Sequence, residues 1–230
     1  MTAMLRGARF WRQRICARIY VAAILLALFF APHAFGNDSA GRANVLSPGA
    51  DRINLYRTLN FDAYKATGTE KERKEAEERM ASAKPAGFFL EGIKKIDKRI
   101  TVLVIGMMFC PDCKAVYPYV EAMKSANPFI STRYLTRNDT PGAREFIISH
   151  TGLPNVPTIL VVRPDNINGY WNGRISGKAY VETPGRVTDL LQAAKSERER
   201  AAVWKDFHEG VYDEEIQRDL LDLILEDNEQ

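Results

Sequence analysis

The stretch ITVLVIGMMFCPDCKAVYPYVEAMK, residues 100–124, carries a strand-like apolar run into two cysteines and leaves them on a helix-like run. Ile100 to Gly106 is rich in β-branched residues, as buried strands are. From Pro111 to Ser125 the apolar residues recur at helical spacing, with Val116, Tyr119, Val120 and Met123 inward and Pro118 as an interruption. Cys110 and Cys113 therefore lie on a strand-to-helix turn, where two thiols can close and reopen a disulfide. The first sulfur meets the unpaired N–H groups and positive dipole end of a helix N-terminus, which favour a thiolate.

Composition narrows the setting. The chain has 230 residues, 46% hydrophobic and 27% charged, enough for one or two domains with a sizeable core. Its formal charge of +3 is set by Arg6, Arg9, Arg12, Arg14 and Arg18, and no acid precedes Asp38. The apolar run Ile19 to Ala31 follows, then Pro32, Ala34 and Gly36. A basic start, an apolar middle and a small-residue end read as a secretory signal peptide cut after Gly36. An uncleaved membrane anchor is the alternative, although thirteen apolar residues fall short of the roughly 20 a bilayer span needs.

Removing that segment takes away five of the 32 basic residues and leaves the 29 acids, a net charge of −2. No basic field for nucleic acid survives. Of the three cysteines, Cys16 is lost and Cys110 and Cys113 remain, too few for a disulfide framework. The pair is read as working chemistry in a periplasmic or secreted protein. Membrane contact follows only if the first segment stays attached.

The rest of the chain reads as α/β. Residues 37 to 52 form a flexible lead-in, Ile53 to Tyr64 a short helix or turn, and Thr69 to Ala83 a polar helix. Phe89, Ile93 and Ile96 share a helical face. Phe129 to Leu135 is a second strand, Pro141 to His150 a helix stopping at Gly152, and Thr158 to Val162 a third strand buried on both faces. Asp165 to Asn168 reads as a turn, and Gly169 to Tyr180 as one or two edge strands. Thr183 reads as the cap of a helix with Pro184 at its first position. Asp213 reads as the N-cap of a last amphipathic helix reaching Leu225, with Ile216 and Leu220 on its apolar face.

Four features together resemble the thioredoxin superfamily: the CxxC after a core strand, Pro118 five residues beyond Cys113, Val156-Pro157-Thr158 opening a strand, and the closing strand, turn and helix. The resemblance implies a three-layer fold, a central mixed β-sheet flanked by helices, with added helices at both ends. The reading divides the chain into a signal peptide or anchor (1–36), a lead-in and helical N-terminal extension (37–97), a thioredoxin-like domain (98–196) and a C-terminal helical extension (197–230). FCPDC looks like the WCPDC motif of certain bacterial thioredoxin-like proteins, with Phe109 in place of Trp. Thioredoxins also carry a buried acid six residues before the first cysteine, where this chain has Val104.

The resemblance implies Cys110 as nucleophile and Cys113 as resolving thiol, with no cofactor beyond the disulfide they form. Val156, a cis Pro157 and Thr158 would receive an extended substrate segment. Phe109, Pro111 and Asp112 would tune the pair. A carboxylate at Asp112 raises the energy of a nearby thiolate, which argues for a reductant or isomerase-like exchanger over a strong oxidant. Lys114 reads as solvated. The partners implied are protein thiols and disulfides and an unidentified redox partner. Two other readings stay open: a copper carrier using Met107 and Met108 with the thiols, and a non-catalytic binding module. No metal site is assigned, because His150 and His208 lack paired spacing for zinc. Tyr170, Trp171 and Trp204 line a peptide groove or cover the core.

Overall fold

Alternating strand-like and helix-like runs take on defined bounds in the computed structural model, which describes Leu46, residues 52–167 and residues 170–229. The first half runs β1 (Arg52–Asn54), a 3-10 turn (Leu55–Arg57), α1 (Phe61–Lys65), α2 (Glu70–Ser82), α3 (Gly87–Ile93) and β2 (Ile100–Gly106). Then come α4 (Pro111–Ala126), β3 (Ile130–Thr136), α5 (Ala143–Thr151), β4 (Thr158–Ile167) and β5 (Tyr170–Val181). The chain closes with α6 (Gly185–Ala193), α7 (Glu197–His208) and α8 (Asp213–Glu229). Residues 1–36, read as a signal peptide or anchor, and nearly all of the lead-in lie outside the described residues. Among the described residues no helix is long and apolar enough to cross a membrane.

The five strands form one mixed sheet in the order β1-β5-β4-β2-β3. β2 is central: it pairs parallel with β3 and antiparallel with β4, and all seven of its residues are buried. Burial on both faces explains the unbroken apolar run that gave it away in the sequence. The β2–α4–β3 unit carries the two cysteines at the start of its helix. With helices flanking a mixed sheet, the architecture is the α/β fold expected.

Helices from both ends of the chain surround α4. α2, α3, α7 and α8 all pack against it, and α8 also packs on β5. α2 starts in a capping box, in which the Thr69 N–H donates to Glu72 at 2.7 Å and the Glu72 N–H donates to the Thr69 hydroxyl at 3.3 Å. Arg79 near its end pairs with Asp213 of α8 and lies over the Tyr119 ring at 5.8 Å. The buried Asn127 amide donates to the carbonyls of Ile93 and Ile96, which ties the end of α3 to the end of α4. Ile216, Leu220, Leu223 and Ile224 of α8 are buried in the same core as the sheet.

Four expectations are corrected. The stretch read as a turn at Asp165 continues β4 to Ile167, with Asp165 opposite Asn172 and Asn166 opposite Trp171. Beyond Val162 the strand has left β2 and keeps β5 as its only ladder partner, so Pro164 and the polar residues are tolerated there. β5 is one strand of twelve residues and not an edge, because β1 pairs along its outer side. A shift in register between Leu160 and Val161 is absorbed on β5 at Gly177, whose φ is +58°. Finally, Pro184 is the N-cap of α6 and Gly185 its first residue, and the Gly185 N–H donates to Asp219 of α8 at 2.8 Å. Thr183 bonds Thr188 instead. Asp213 likewise lies inside α8 rather than before it, with its carboxylate on Arg79.

The first described residues engage both sides of the sheet. Ile53 lies opposite Gly173 on β5, while Leu59 and Tyr134 of β3 exchange two backbone hydrogen bonds of 2.9 Å. Leu46 bridges back to Ile53 and is buried.

Candidate active site

β2 delivers the chain to Gly106, and a short turn closed by the Cys110 N–H on the Met107 carbonyl (3.1 Å) leads into α4. Cys110 is the N-cap, with extended backbone angles of −74° and 120°, and Pro111 takes the first helical position. Proline suits that place because its missing N–H would have had no helical partner. The Lys114 N–H donates to the Cys110 carbonyl, which completes the first turn.

The two thiols are unbridged and unlike. Cys110 is 9% exposed and Cys113 fully buried. A hydrogen bond from Cys113 holds the Cys110 thiol below the ordinary range, against its partial burial and the nearby charge of Asp112. Burial pushes Cys113 well up, and its bond to Cys110 and the charge there add to the effect. In a coupled pair of this kind the negative charge settles on one member, here Cys110.

The loop before β4 faces Cys110. The Val156–Pro157 peptide is cis, and the Cys110 Sγ lies 3.7 Å from the Val156 carbonyl oxygen. Thr158 is beside them but turned away: its hydroxyl donates to the Asn155 carbonyl at 2.7 Å. Glu182, just after β5, has the left-handed φ of 61° that non-glycine residues seldom adopt. It braces the same loop, its N–H donating to the Pro157 carbonyl at 2.8 Å and its carboxylate accepting from Asn155 at 2.8 Å. Burial and the Asp112 charge raise its pKa.

Phe109 projects outward, 57% exposed, and Pro111 is exposed as well. Asp112 does not point into open solvent. Its side chain is 16% exposed, with one oxygen 3.9 Å from the Cys110 Sγ and the other 2.5 Å from His208 Nε2. Lys114, read as solvated, is instead nearly buried and paired with Glu75 of α2. Met107 and Met108 are buried in the core, and among the described residues no three His, Cys, Asp or Glu side chains gather as a metal site.

The sequence from residue 58 to residue 195 matches a thioredoxin family model. The chain belongs to the thioredoxin family. The matched part begins before α1 and ends before α7. No curated protein matches the sequence. Among solved structures, this thioredoxin-family chain resembles a protein of unknown function from Pseudomonas aeruginosa, with a TM-score of 0.57 and 21% identity over 75% of this chain and 95% of that one. It also resembles an HIV epitope-scaffold, with a TM-score of 0.56 and 19% identity over 74% and 94%. At those identities the likeness concerns the fold.

Three polar residues of this thioredoxin-like site escaped sequence reasoning. Val104 is fully buried, in register with Tyr134 and Ile159, and offers no carboxylate beneath Cys113. Tyr64 and Tyr117 supply phenols instead, bonded to each other at 2.6 Å. A Cβ on Gly106 would stand 2.9 Å from the Tyr64 oxygen, 3.1 Å from that of Tyr117 and 3.1 Å from the Cys113 Sγ, so all three converge where only glycine leaves room. The Tyr117 hydroxyl, which also lies 3.4 Å from the Met107 carbonyl, lowers the Cys113 pKa against the effect of burial. Tyr117 follows Cys113 by four residues, one helical turn, so its side of the helix was readable. Tyr64 and His208 have no local signal: they are 53 residues from Tyr117 and 96 from Asp112. Of the candidate groove aromatics, Trp204 packs on Phe207 and stacks on His208, and Trp171 lies 6.3 Å from Tyr56.

Proposed function

We propose that this protein is an exported thiol–disulfide oxidoreductase that exchanges disulfides with protein substrates through Cys110 and Cys113. The observation that carries the reading is the asymmetry of the pair: a thiol favoured as thiolate at a helix N-terminus, backed by a buried partner one turn on. The Cys110 thiolate attacks one sulfur of a substrate disulfide and bonds to it, and the other substrate sulfur leaves as a thiolate. Cys113, deprotonated, then attacks the Cys110 sulfur. The Cys110–Cys113 disulfide forms, the second substrate thiolate departs, and two electrons have passed to the substrate.

Exposed Phe109 beside the nucleophile and exposed Leu153 ahead of the Val156 loop give an unfolded segment apolar surface to lie on. Within the family we place the protein with bacterial members carrying a WCPDC motif, Phe109 standing for Trp. Export rests on residues 1–36. The Asp112 carboxylate, close to the Cys110 Sγ and raising its pKa, favours a reductant or isomerase-like exchanger.

The test is trapping. Cys113→Ser should accumulate mixed disulfides with a model disulfide protein, and Cys110→Ser should accumulate none. Equal labelling of both variants would sink the assignment of roles. A reduction potential below about −180 mV is expected, and a value near −120 mV, where strong oxidants lie, would refute the direction.

A further inference from the structure

His208 occupies the last turn of α7, beyond the stretch that matches the thioredoxin family, yet it reaches the dipeptide between the thiols. Its Nε2 lies 2.5 Å from Asp112 Oδ1, and Asp112 Oδ2 lies 3.9 Å from the Cys110 Sγ. One carboxylate thus joins an imidazole to the nucleophile. The imidazole is held flat against Trp204, ring centres 5.7 Å apart and planes 21° from parallel, and Phe207 touches both rings, 5.5 Å from the imidazole and 6.0 Å from Trp204. The two side chains are 33% and 16% exposed, so water screens this pair less than one on the open surface.

We propose that His208 is a positioning residue for thiol exchange: its positive charge, held on Asp112, offsets that carboxylate and lets the Cys110 thiolate form beside it. The proposal rests on the exchange reading for its purpose. A lone carboxylate repels a thiolate at this range, and an imidazolium on its far oxygen cancels much of that field. A neutral imidazole keeps the hydrogen bond and loses the cancellation.

The surrounding charges leave His208 this task. On α4, Lys114 is taken by Glu75. On α7, Lys205 pairs with Glu209. On α6, Arg186 is paired with Glu215 of α8. Glu182 and the buried Tyr180 phenol, at the end of β5, both feel the Asp112 charge and add no cation. The imidazole is the basic group that meets Asp112.

The test uses the reduced full-length protein, wild type and with H208Q, H208K, D112N and the H208Q/D112N combination. Each is alkylated with iodoacetamide from pH 5 to pH 9, and modification of Cys110 is followed by mass spectrometry. Alkylation reports the thiolate whether or not the protein exchanges disulfides, so this proposal and the exchange reading can fail separately. H208Q should slow the reaction about threefold to tenfold, whereas H208K should keep it at the wild-type rate or faster. In D112N, adding H208Q should change nothing. Equal rates for wild type and H208Q would overturn the proposal. So would an equal loss in H208Q and H208K, which would mark a packing role, or an H208Q effect that persists in D112N.

Discussion

In the proposed exchange Cys113 is the resolving thiol, and here its polar neighbours are phenols in place of a buried acid. Tyr117 lowers its pKa, and Tyr64 bonds Tyr117. Phenols this deeply buried stay protonated, since burial raises both far above the ordinary tyrosine value. They therefore act as donors to a forming thiolate and not as bases. Tyr117→Phe removes that donor, so the Cys113 pKa should rise further. Resolution of a mixed disulfide, which speeds up with pH as Cys113 ionises, should then need a higher pH and run about tenfold slower at pH 7, the worth of one hydrogen bond to a charge. Quenched-flow measurement of mixed-disulfide lifetime checks this, and an unchanged pH profile would remove Tyr117 from the step. At this scale sequence reading went as far as helical spacing reaches: Cys110, Asp112 and Tyr117 share a few turns of one chain, while Tyr64 and His208 arrive only through packing.

Elements show the same division. The extent of β2 and the polar α2 were legible, because burial on both faces and a dense run of charged residues leave local marks. The ends of β4 and the start of α6 were not, because their partners are distant: β5 in one case and Asp219 of α8 in the other. The clamp between α2 and α8 is of this second kind. Arg79, its side chain 14% exposed, holds Asp213, lies over Tyr119 and reaches the Ala115 carbonyl at 3.5 Å. The Tyr119 phenol beside it is pushed up by burial and by Asp213. Arg79→Ala should cost about 2 kcal/mol in urea unfolding, in the range for removing a hydrogen-bonded charged partner. A loss within a few tenths of a kcal/mol would mean that α2 rides on the core without being pinned through this residue.

For the whole molecule, the family match stops at residue 195 but the hydrophobic core does not. Ile216, Leu220, Leu223 and Ile224 fill space beside β5 and α3, and Gln217 satisfies the Ala86 N–H at 2.6 Å. Four buried aliphatic side chains are worth on the order of 6–12 kcal/mol, comparable with the whole stability of a domain. A chain ending at Lys195 should therefore fail to give a cooperative melt, and a sharp thermal transition in that truncation would show that α7 and α8 are accessory.

The opening residues of the described chain bear on how copies of this protein meet one another. A strand margin with free N–H and C=O groups invites a second molecule to zip onto it. Here β1, too brief to template anything, lies along one margin, and Leu59 fastens to the other within a few residues. A single short strap thus hems both sides of the sheet. Crowded neighbours in a cell find the backbone of Asn172, Gly173, Arg174 and Tyr134 already taken, so a fibre would have to start elsewhere along the sheet.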